Sequence, residues 1–184
     1  MTETTTQNPR YAALSPEVRE LLEWNASRAL PADAGIDEIR AANTAMNDRY
    51  GIAHVPVQTV RDVAVDGTHS PAFLRIYEPL GANGRTRPAI IFFHGGSWML
   101  GSVDSHDSLC RQICRETGLK VLSAEYGLGP ENPFPKQTED CCAIYDWVSN
   151  NRAALDLSKN GLILCGDSSG ANLVAVLTHE LKSR

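Results

Sequence analysis

The chain has 184 residues, of which 42% are hydrophobic and 21% charged, and its formal net charge is -5 at neutral pH. This length allows one domain with an additional arm, and the composition is typical of a globular protein and excludes disorder along the whole chain. An acidic chain of this kind has no field to attract a phosphate backbone, so nucleic acid is not an expected partner.

The polar N-terminal segment, MTETTTQNPR, has neither the basic start nor the apolar core of a secretory signal. The longest apolar runs along the chain have five residues, far fewer than the roughly 18 that cross a bilayer. We therefore expect no membrane span and a cytoplasmic location, and we interpret residues 1–14 as a flexible arm.

Two amphipathic helices are predicted after the arm. Ser15 is a suitable helix cap, Pro16 stands in the first turn, and the apolar residues that follow recur near a 3.6-residue period. A second apolar stripe extends over residues 35–50. Residues 15–56 are thus predicted to form a helical region before the main domain.

The remainder of the chain, residues 57–184, alternates predicted strands and helices. Residues 57–66 and 72–77 resemble a pair of antiparallel edge strands, and AIIFF at 89–93 is continuously apolar, as a strand covered on both faces must be. The elements predicted after it are a helix over 103–117, a strand over 121–124, a helix over 135–151, a strand over 162–165 and a helix over 169–182. This alternation predicts an α/β fold, with a mostly parallel sheet and helices on both faces.

The cysteines do not form the pattern of a disulfide framework, because their number is odd and they are scattered through predicted helices and a strand. No histidine follows them at zinc-finger spacing. We expect reduced thiols in the core and no metal site. The cysteines are Cys110, Cys114, Cys141, Cys142 and Cys165.

A candidate nucleophile, Ser168, lies at the centre of the sequence GDSSG, residues 166–170. The G-x-S-x-G pattern is weak evidence by itself, but here it follows the apolar strand LILC and opens a predicted helix, the context that a nucleophile elbow requires. Gly166 and Gly170 would permit the strained turn that exposes the serine. The alternative is that Ser168 only caps the helix.

A second motif, HGGSW at residues 94–98, follows the AIIFF strand directly. Its small residues offer free backbone amides where the elbow of a neighbouring strand would lie. Two motifs at matching strand ends favour a catalytic interpretation over helix capping.

Three motifs in this order, HGGSW, YGLGPENPFP at 126–135 and GDSSGANL at 166–173, resemble the hormone-sensitive-lipase branch of the α/β-hydrolases. The resemblance covers the chain from about residue 57 and implies an α/β-hydrolase fold, with residues 15–56 similar to the family's N-terminal cap. It also implies hydrolysis of small to medium hydrophobic carboxylic esters through a serine nucleophile, without a cofactor or metal.

The resemblance assigns a role to each matching residue. Ser168 would be the nucleophile, the backbone amides of Gly96, Ser97 and Ser169 would form the oxyanion hole, and Gly95 would let the loop turn. The positions assigned supporting roles are His94, Trp98, Glu131, Asp167, Gly166 and Gly170.

Two supporting roles have alternatives. Glu131 would hold the loop around the elbow, or it is a solvent-facing carboxylate in a turn. Trp98 would line the acyl pocket, or it simply packs.

The sequence departs from the family pattern at three positions. Ser97 stands where the family usually has a third glycine, Gly127 stands where arginine is usual, and Ala171 replaces a glycine. None removes the nucleophile. If the loop requires a positive φ at Ser97, its side chain adds about 1 kcal/mol or more of strain.

The acid and the base of a catalytic triad are not evident in these residues. In this fold the acid and then the histidine follow the serine along the chain, whereas only His179 and Glu180 follow Gly170, both on the elbow's own helix. At about 1.5 Å per residue, His179 lies about 16 Å along the axis from Ser168. We therefore expect residues 57–184 to be the N-terminal part of an incomplete hydrolase core.

Among the earlier histidines, His106 is the candidate for a substitute base. Asp104 and Asp107 lie beside it at the start of a predicted helix, and helix capping would explain them.

An incomplete core leaves the strand LILC as an open sheet edge, at which self-association is expected. Two other interpretations remain at this point. One is a ligand-binding protein without turnover, resembling the plant gibberellin receptors, which share the fold and lack a complete triad. The other is a remnant without activity.

Overall fold

The computed structural model describes residues 13–81 and 86–184, so most of the arm predicted over residues 1–14 lies outside the described part. The chain divides into two units, Met1–Ala45 and Met46–Arg184. Within the described residues no helix is both long and apolar enough to cross a membrane.

The two predicted N-terminal helices are confirmed. Helix α1, Pro16–Ser27, begins after Ser15, whose hydroxyl accepts a hydrogen bond from the Val18 amide at 3.4 Å. Helix α2, Ile36–Tyr50, begins after Gly35, whose amide donates to the Glu38 carboxylate at 2.9 Å. In both helices a polar side chain satisfies an amide that the first turn leaves without an intrahelical acceptor.

The second unit contains a five-stranded sheet in the order β1-β2-β4-β3-β5. Its strands are β1 Thr59–Val65, β2 Ala72–Glu78, β3 Arg87–Phe93, β4 Lys120–Glu125 and β5 Leu157–Gly166. The pairs β3–β4 and β3–β5 are parallel. Strands β1 and β2 are antiparallel, as predicted. Strand β2 also pairs with β4 in the antiparallel direction, so the sheet is mixed.

Helices α3 (Asp107–Thr117), α4 (Lys136–Asn150) and α5 (Ser168–Ser183) complete the second unit. Because side chains alternate along a strand, Ile91 and Phe93 of β3 join the core under α4 and α5. Ile90 and Phe92 join the core that contains Cys110 and Cys114 of α3. Strand β3 is therefore covered on both faces, as its continuous apolar sequence predicts.

The register of the sheet positions the candidate site. Phe93, the last residue of β3, lies opposite Gly166, the last residue of β5. Because the strands are parallel, the loops that follow them emerge at the same edge of the sheet. The HGGSW and GDSSG motifs begin there.

The start of α3 differs from the prediction, because residues 103–106 form turns and no side chain caps the helix. Asp104 binds the Arg75 guanidinium at 2.5 Å. Asp107 is buried and accepts hydrogen bonds from the Tyr77 hydroxyl at 2.8 Å and from Arg111 Nε at 2.6 Å. The capping explanation for these acids is wrong, because their carboxylates neutralise arginines and satisfy a buried tyrosine.

All five cysteines in the described part of the chain are free, and Cys110, Cys114 and Cys141 are buried. Burial disfavours the charged thiolate and raises the pKa of Cys110 to about 12 and of Cys114 to about 11. These side chains are neutral core thiols at neutral pH.

Candidate active site

The turn between β5 and α5 has the backbone of a nucleophile elbow. Ser168 adopts φ 49, a left-handed value that side chains seldom take, and it is exposed. A Cβ at Gly166 or Gly170 would overlap the carbonyl oxygen of Phe93, because the turn packs against the end of β3. The two glycines therefore permit the close approach, and the strained residue between them faces solvent.

The HGGSW loop curls directly after β3. Gly96 has φ 123, and its carbonyl accepts hydrogen bonds from the Leu100 amide at 2.7 Å and the Met99 amide at 3.1 Å. Ser97 and Trp98 follow with φ 54 and φ 61. Ser97 therefore has the positive φ that was anticipated, and Trp98 has a positive φ as well.

Two hydrogen bonds connect this loop to the elbow. The Gly95 amide donates to Asp167 Oδ1 at 2.8 Å, and the Trp98 amide donates to Ser169 Oγ at 3.3 Å. A Cβ at Gly95 would overlap the Asp167 carboxylate, so only glycine fits there. The structure thus brings together the sequence-predicted loop and the sequence-predicted elbow.

The first turn of α5 contributes the amide of Ser169. The amides of Gly170 and Ala171 both donate to the carbonyl oxygen of Asp167, at 2.8 and 3.2 Å. An amide one position earlier has no acceptor within the helix, and it lies at the positive end of the helix dipole. Ser169 can therefore donate to an anion beside Ser168.

His94 is fully buried below the loop. Its ring stacks on Tyr126 with 4.5 Å between centroids, and the Tyr126 hydroxyl donates to the His94 carbonyl oxygen at 2.7 Å. Burial lowers the pKa of His94 to about 4, so the ring is neutral at pH 7. Because the Gly95 carbonyl can only accept, His94 Nδ1, at 2.8 Å, carries the ring proton and donates it.

The loop after β4 is held by Asp140, a residue that the sequence analysis did not select. This fully buried carboxylate accepts hydrogen bonds from the His69 amide at 2.7 Å and the Gly127 amide at 3.2 Å. Glu131 lies exposed in the same loop. Asp140 carries no motif signal of its own, because its role depends on partners distant in sequence, such as His69. Tyr126 begins the YGLGPENPFP motif, but its contact with His94 is visible only in the fold.

The candidate substitute base, His106, faces Asp167. Its Nε2 lies 3.3 Å from Asp167 Oδ1, and its Nδ1 lies 2.9 Å from Ser105 Oγ. Within residues 13–81 and 86–184 no side chain hydrogen-bonds to the Ser168 hydroxyl. The structure therefore joins His106 to the elbow through the neighbour of the serine.

A cavity of about 590 Å³ opens beside the HGGSW loop, between that loop and helices α4 and α5. Its wall is mainly apolar, and Trp98, 42% exposed, contributes to it. The lining residues are Ser97, Trp98, Met99, Gly129, Phe134, Gln137, Thr138, Asn172, Leu173 and Val176.

Comparison of sequences finds relatives among esterases. A family profile described as "alpha/beta hydrolase fold" matches residues 90–184. The carboxylic ester hydrolase LipN of Mycobacterium tuberculosis is 39% identical over 119 residues, which are 64% of this chain and 31% of that protein. Esterase LipI of the same organism is 30% identical over 172 residues, which are 92% of this chain and 52% of that protein.

Solved structures share the fold. A hyperthermophilic esterase from Pyrobaculum calidifontis superposes with a TM-score of 0.82 at 31% identity, over 93% of this chain and 55% of that one. An ester hydrolase from the Lake Arreo metagenome superposes with a TM-score of 0.84 at 29% identity, over 92% of this chain and 56% of that one. The chain spans about half, or less, of the length of these relatives.

Proposed function

Since the chain belongs to the hormone-sensitive-lipase-like family of the alpha/beta hydrolase fold, we propose that its site carries out the acylation chemistry of a carboxylic-ester hydrolase. The observation that supports this most directly is the hydrogen bond between Gly95 and Asp167, which sets the HGGSW loop against the elbow of Ser168. A serine that only capped a helix would not require this second loop.

In the proposed reaction, Ser168 Oγ attacks the ester carbonyl carbon and its proton passes to a general base. The former carbonyl oxygen becomes an anion and accepts hydrogen bonds from the amides of Gly96, Ser97 and Ser169. The intermediate collapses, the alcohol leaves with a proton, and water then hydrolyses the acyl-serine. Loss of one oxyanion donor typically lowers kcat about 10²- to 10³-fold.

We infer that the general base and its carboxylate partner come from sequence outside these 184 residues. In this fold both follow the serine along the chain. His179, on the fourth turn of α5, is too far along the helix axis to reach Ser168. His106 Nε2 faces Asp167 Oδ1, at 3.3 Å, rather than Ser168.

The substrate class that the site favours is a small to medium ester with an apolar acyl group. The cavity beside Ser97 is lined by Trp98, Met99, Leu173 and other apolar groups. Burial of each methylene in such a cavity contributes about 0.8 kcal/mol.

A second candidate function is ligand binding without turnover. It is supported by the hydroxyl of Ser168, which has no side-chain hydrogen-bond partner within the described part of the chain. A serine that lacks a base is a poor nucleophile. Saturable ligand binding that does not change in Ser168→Ala, without formation of an acyl-enzyme, would favour this function.

The proposal is tested with a fluorophosphonate, followed by intact mass, and with p-nitrophenyl butyrate, followed by absorbance. Both probes are applied to the 184-residue chain, to Ser168→Ala and to a version extended by the downstream gene sequence. We expect labelling and turnover in the extended form and neither in its Ser168→Ala variant.

Ser108→Ala is the matched control, since the Ser108 hydroxyl donates to the Ile52 carbonyl, at 2.7 Å, in another part of the unit. This variant should react like the parent. An unreactive extended form would overturn the proposed esterase activity. Full reactivity of the 184-residue chain would overturn the inference that the base lies elsewhere.

A further inference from the structure

The residue before the candidate nucleophile, Asp167, connects three segments of the chain. Its Oδ1 accepts the Gly95 amide hydrogen at 2.8 Å and lies 3.3 Å from His106 Nε2. The HGGSW loop, the loop before α3 and the elbow therefore meet at Asp167 Oδ1.

The His106 ring is held in place for this contact. It is 18% exposed, and its centroid lies 6.0 Å from that of Phe92 and 5.5 Å from that of His94. Its Nδ1 lies 2.9 Å from Ser105 Oγ and 3.3 Å from the Ser102 carbonyl oxygen. Both ring nitrogens of His106 therefore have polar partners.

The contact at Asp167 has a direct consequence for the oxyanion hole. The Gly95 amide is fixed by Asp167, and the Gly95 carbonyl is fixed by His94 Nδ1 at 2.8 Å. In a trans peptide the C=O and the following N–H point in opposite directions. Fixing the Gly95 carbonyl towards His94 therefore directs the Gly96 amide to the other side.

We propose that Asp167 and His106 are positioning residues that hold the Gly96 amide in the orientation required to bind an oxyanion. This inference rests on the proposed esterase function. Neither side chain exchanges a proton with the substrate. Asp167 holds the loop through Gly95, and His106 holds the carboxylate of Asp167 in the rotamer that reaches Gly95.

The charge of Asp167, taken alone, predicts the opposite effect of Asp167→Ala on kcat. Asp167 places a negative charge next to the site where a second negative charge develops, and this repulsion raises the barrier. If charge were its only effect, Asp167→Ala would accelerate the reaction. If the carboxylate positions the loop, Asp167→Ala slows it. The sign of the change in kcat therefore separates the two roles.

The test measures kcat and KM for p-nitrophenyl butyrate in the extended form. Because oxyanion contacts act in the transition state, we expect Asp167→Ala to lower kcat about 10- to 100-fold and to change KM less than about threefold. Asp167→Asn retains an oxygen acceptor and should keep kcat within about threefold of the parent. His106→Ala should give a smaller loss than Asp167→Ala, because Gly95 keeps its acceptor.

Asp104→Ala is the matched control, since it removes an exposed carboxylate that binds Arg75 and lies two residues from His106. It should retain the parent kcat. An unchanged or higher kcat in a folded Asp167→Ala variant would overturn the inference, as would equal losses in Asp167→Ala and Asp167→Asn.

Hydrogen exchange of the Gly95 amide, measured by NMR in the 184-residue chain, reports on its hydrogen bond to Asp167 independently of catalysis. We expect Asp167→Ala to accelerate this exchange at least tenfold and Asp167→Asn to leave it nearly unchanged. Unchanged exchange in Asp167→Ala would overturn the inference even in an active esterase. An extended form that does not hydrolyse esters would instead overturn the proposed function. The exchange rates would still show whether Asp167 holds the Gly95 amide.

Discussion

Ser97 combines a side chain with a left-handed backbone, with φ 54, in the loop that donates to the proposed oxyanion. A glycine takes this conformation without the steric cost that a Cβ imposes. Ser97→Gly should therefore raise the free energy of unfolding by about 1 kcal/mol. In the extended form it should also raise kcat for p-nitrophenyl butyrate, by up to about fivefold.

Chemical denaturation and steady-state kinetics measure the two effects. Ser108→Gly is the control, because Ser108 lies in α3 and is not among the residues with positive φ. Glycine there should lower the free energy of unfolding by about 1 kcal/mol. A Ser97→Gly variant with neither greater stability nor a higher kcat would show that the loop is not strained at this residue.

At the residue scale, a motif indicates which side chains matter and says little about their partners. GDSSG and HGGSW were sufficient to predict that the HGGSW loop and the elbow of Ser168 lie next to each other. The hydrogen bond from Gly95 to Asp167 joins residues that are 72 positions apart in the sequence, and it depends on the β3–β5 register. His106 was considered as a base because histidine chemistry suggests it, and only the fold shows that it faces Asp167.

At the scale of elements, hydrophobic pattern predicted each strand and helix of the described residues, because burial on one or both faces is a local property of the sequence. The pairing of β2 with β4 was not predicted, since strand order depends on contacts between distant segments. The start of α3 was placed four residues too early. Its preceding turns carry Val103, a buried residue that continues the apolar pattern without helical backbone.

The cavity between α4, α5 and the HGGSW loop provides a test of the proposed substrate class. Val176 of α5 lines this cavity. Val176→Trp should fill part of it and lower the ratio of kcat/KM for p-nitrophenyl hexanoate to that for the acetate at least about tenfold, since four methylenes lose their binding space. Thr178→Trp is the matched control, because Thr178 is an exposed residue of α5 outside the cavity lining.

Steady-state kinetics of the two esters in the extended form gives the ratio for each variant. The same ratio in Val176→Trp and in the parent would show that the acyl chain does not enter this cavity.

At the scale of the whole molecule, the two edges of the described sheet differ in character. Strand β1 carries Arg61 and Asp62, and charged side chains of this kind discourage pairing with another sheet. Strand β5 carries the uncharged sequence LILC before Gly166, and Ile163 is 45% exposed. Unpaired backbone groups beside apolar side chains favour the addition of a further strand.

We therefore expect the 184-residue chain to self-associate through β5, with the two β5 strands side by side. Sedimentation velocity over a range of protein concentrations should show dimers or larger species whose proportion rises with concentration. Ile163→Lys should shift the chain towards monomer, because each copy then brings a positive charge to the same edge. Leu80→Lys places the same charge at a 60% exposed residue outside the strands and should leave association unchanged. A chain that remains monomeric at every concentration, or that dissociates equally in both lysine variants, would show that the β5 edge does not mediate association.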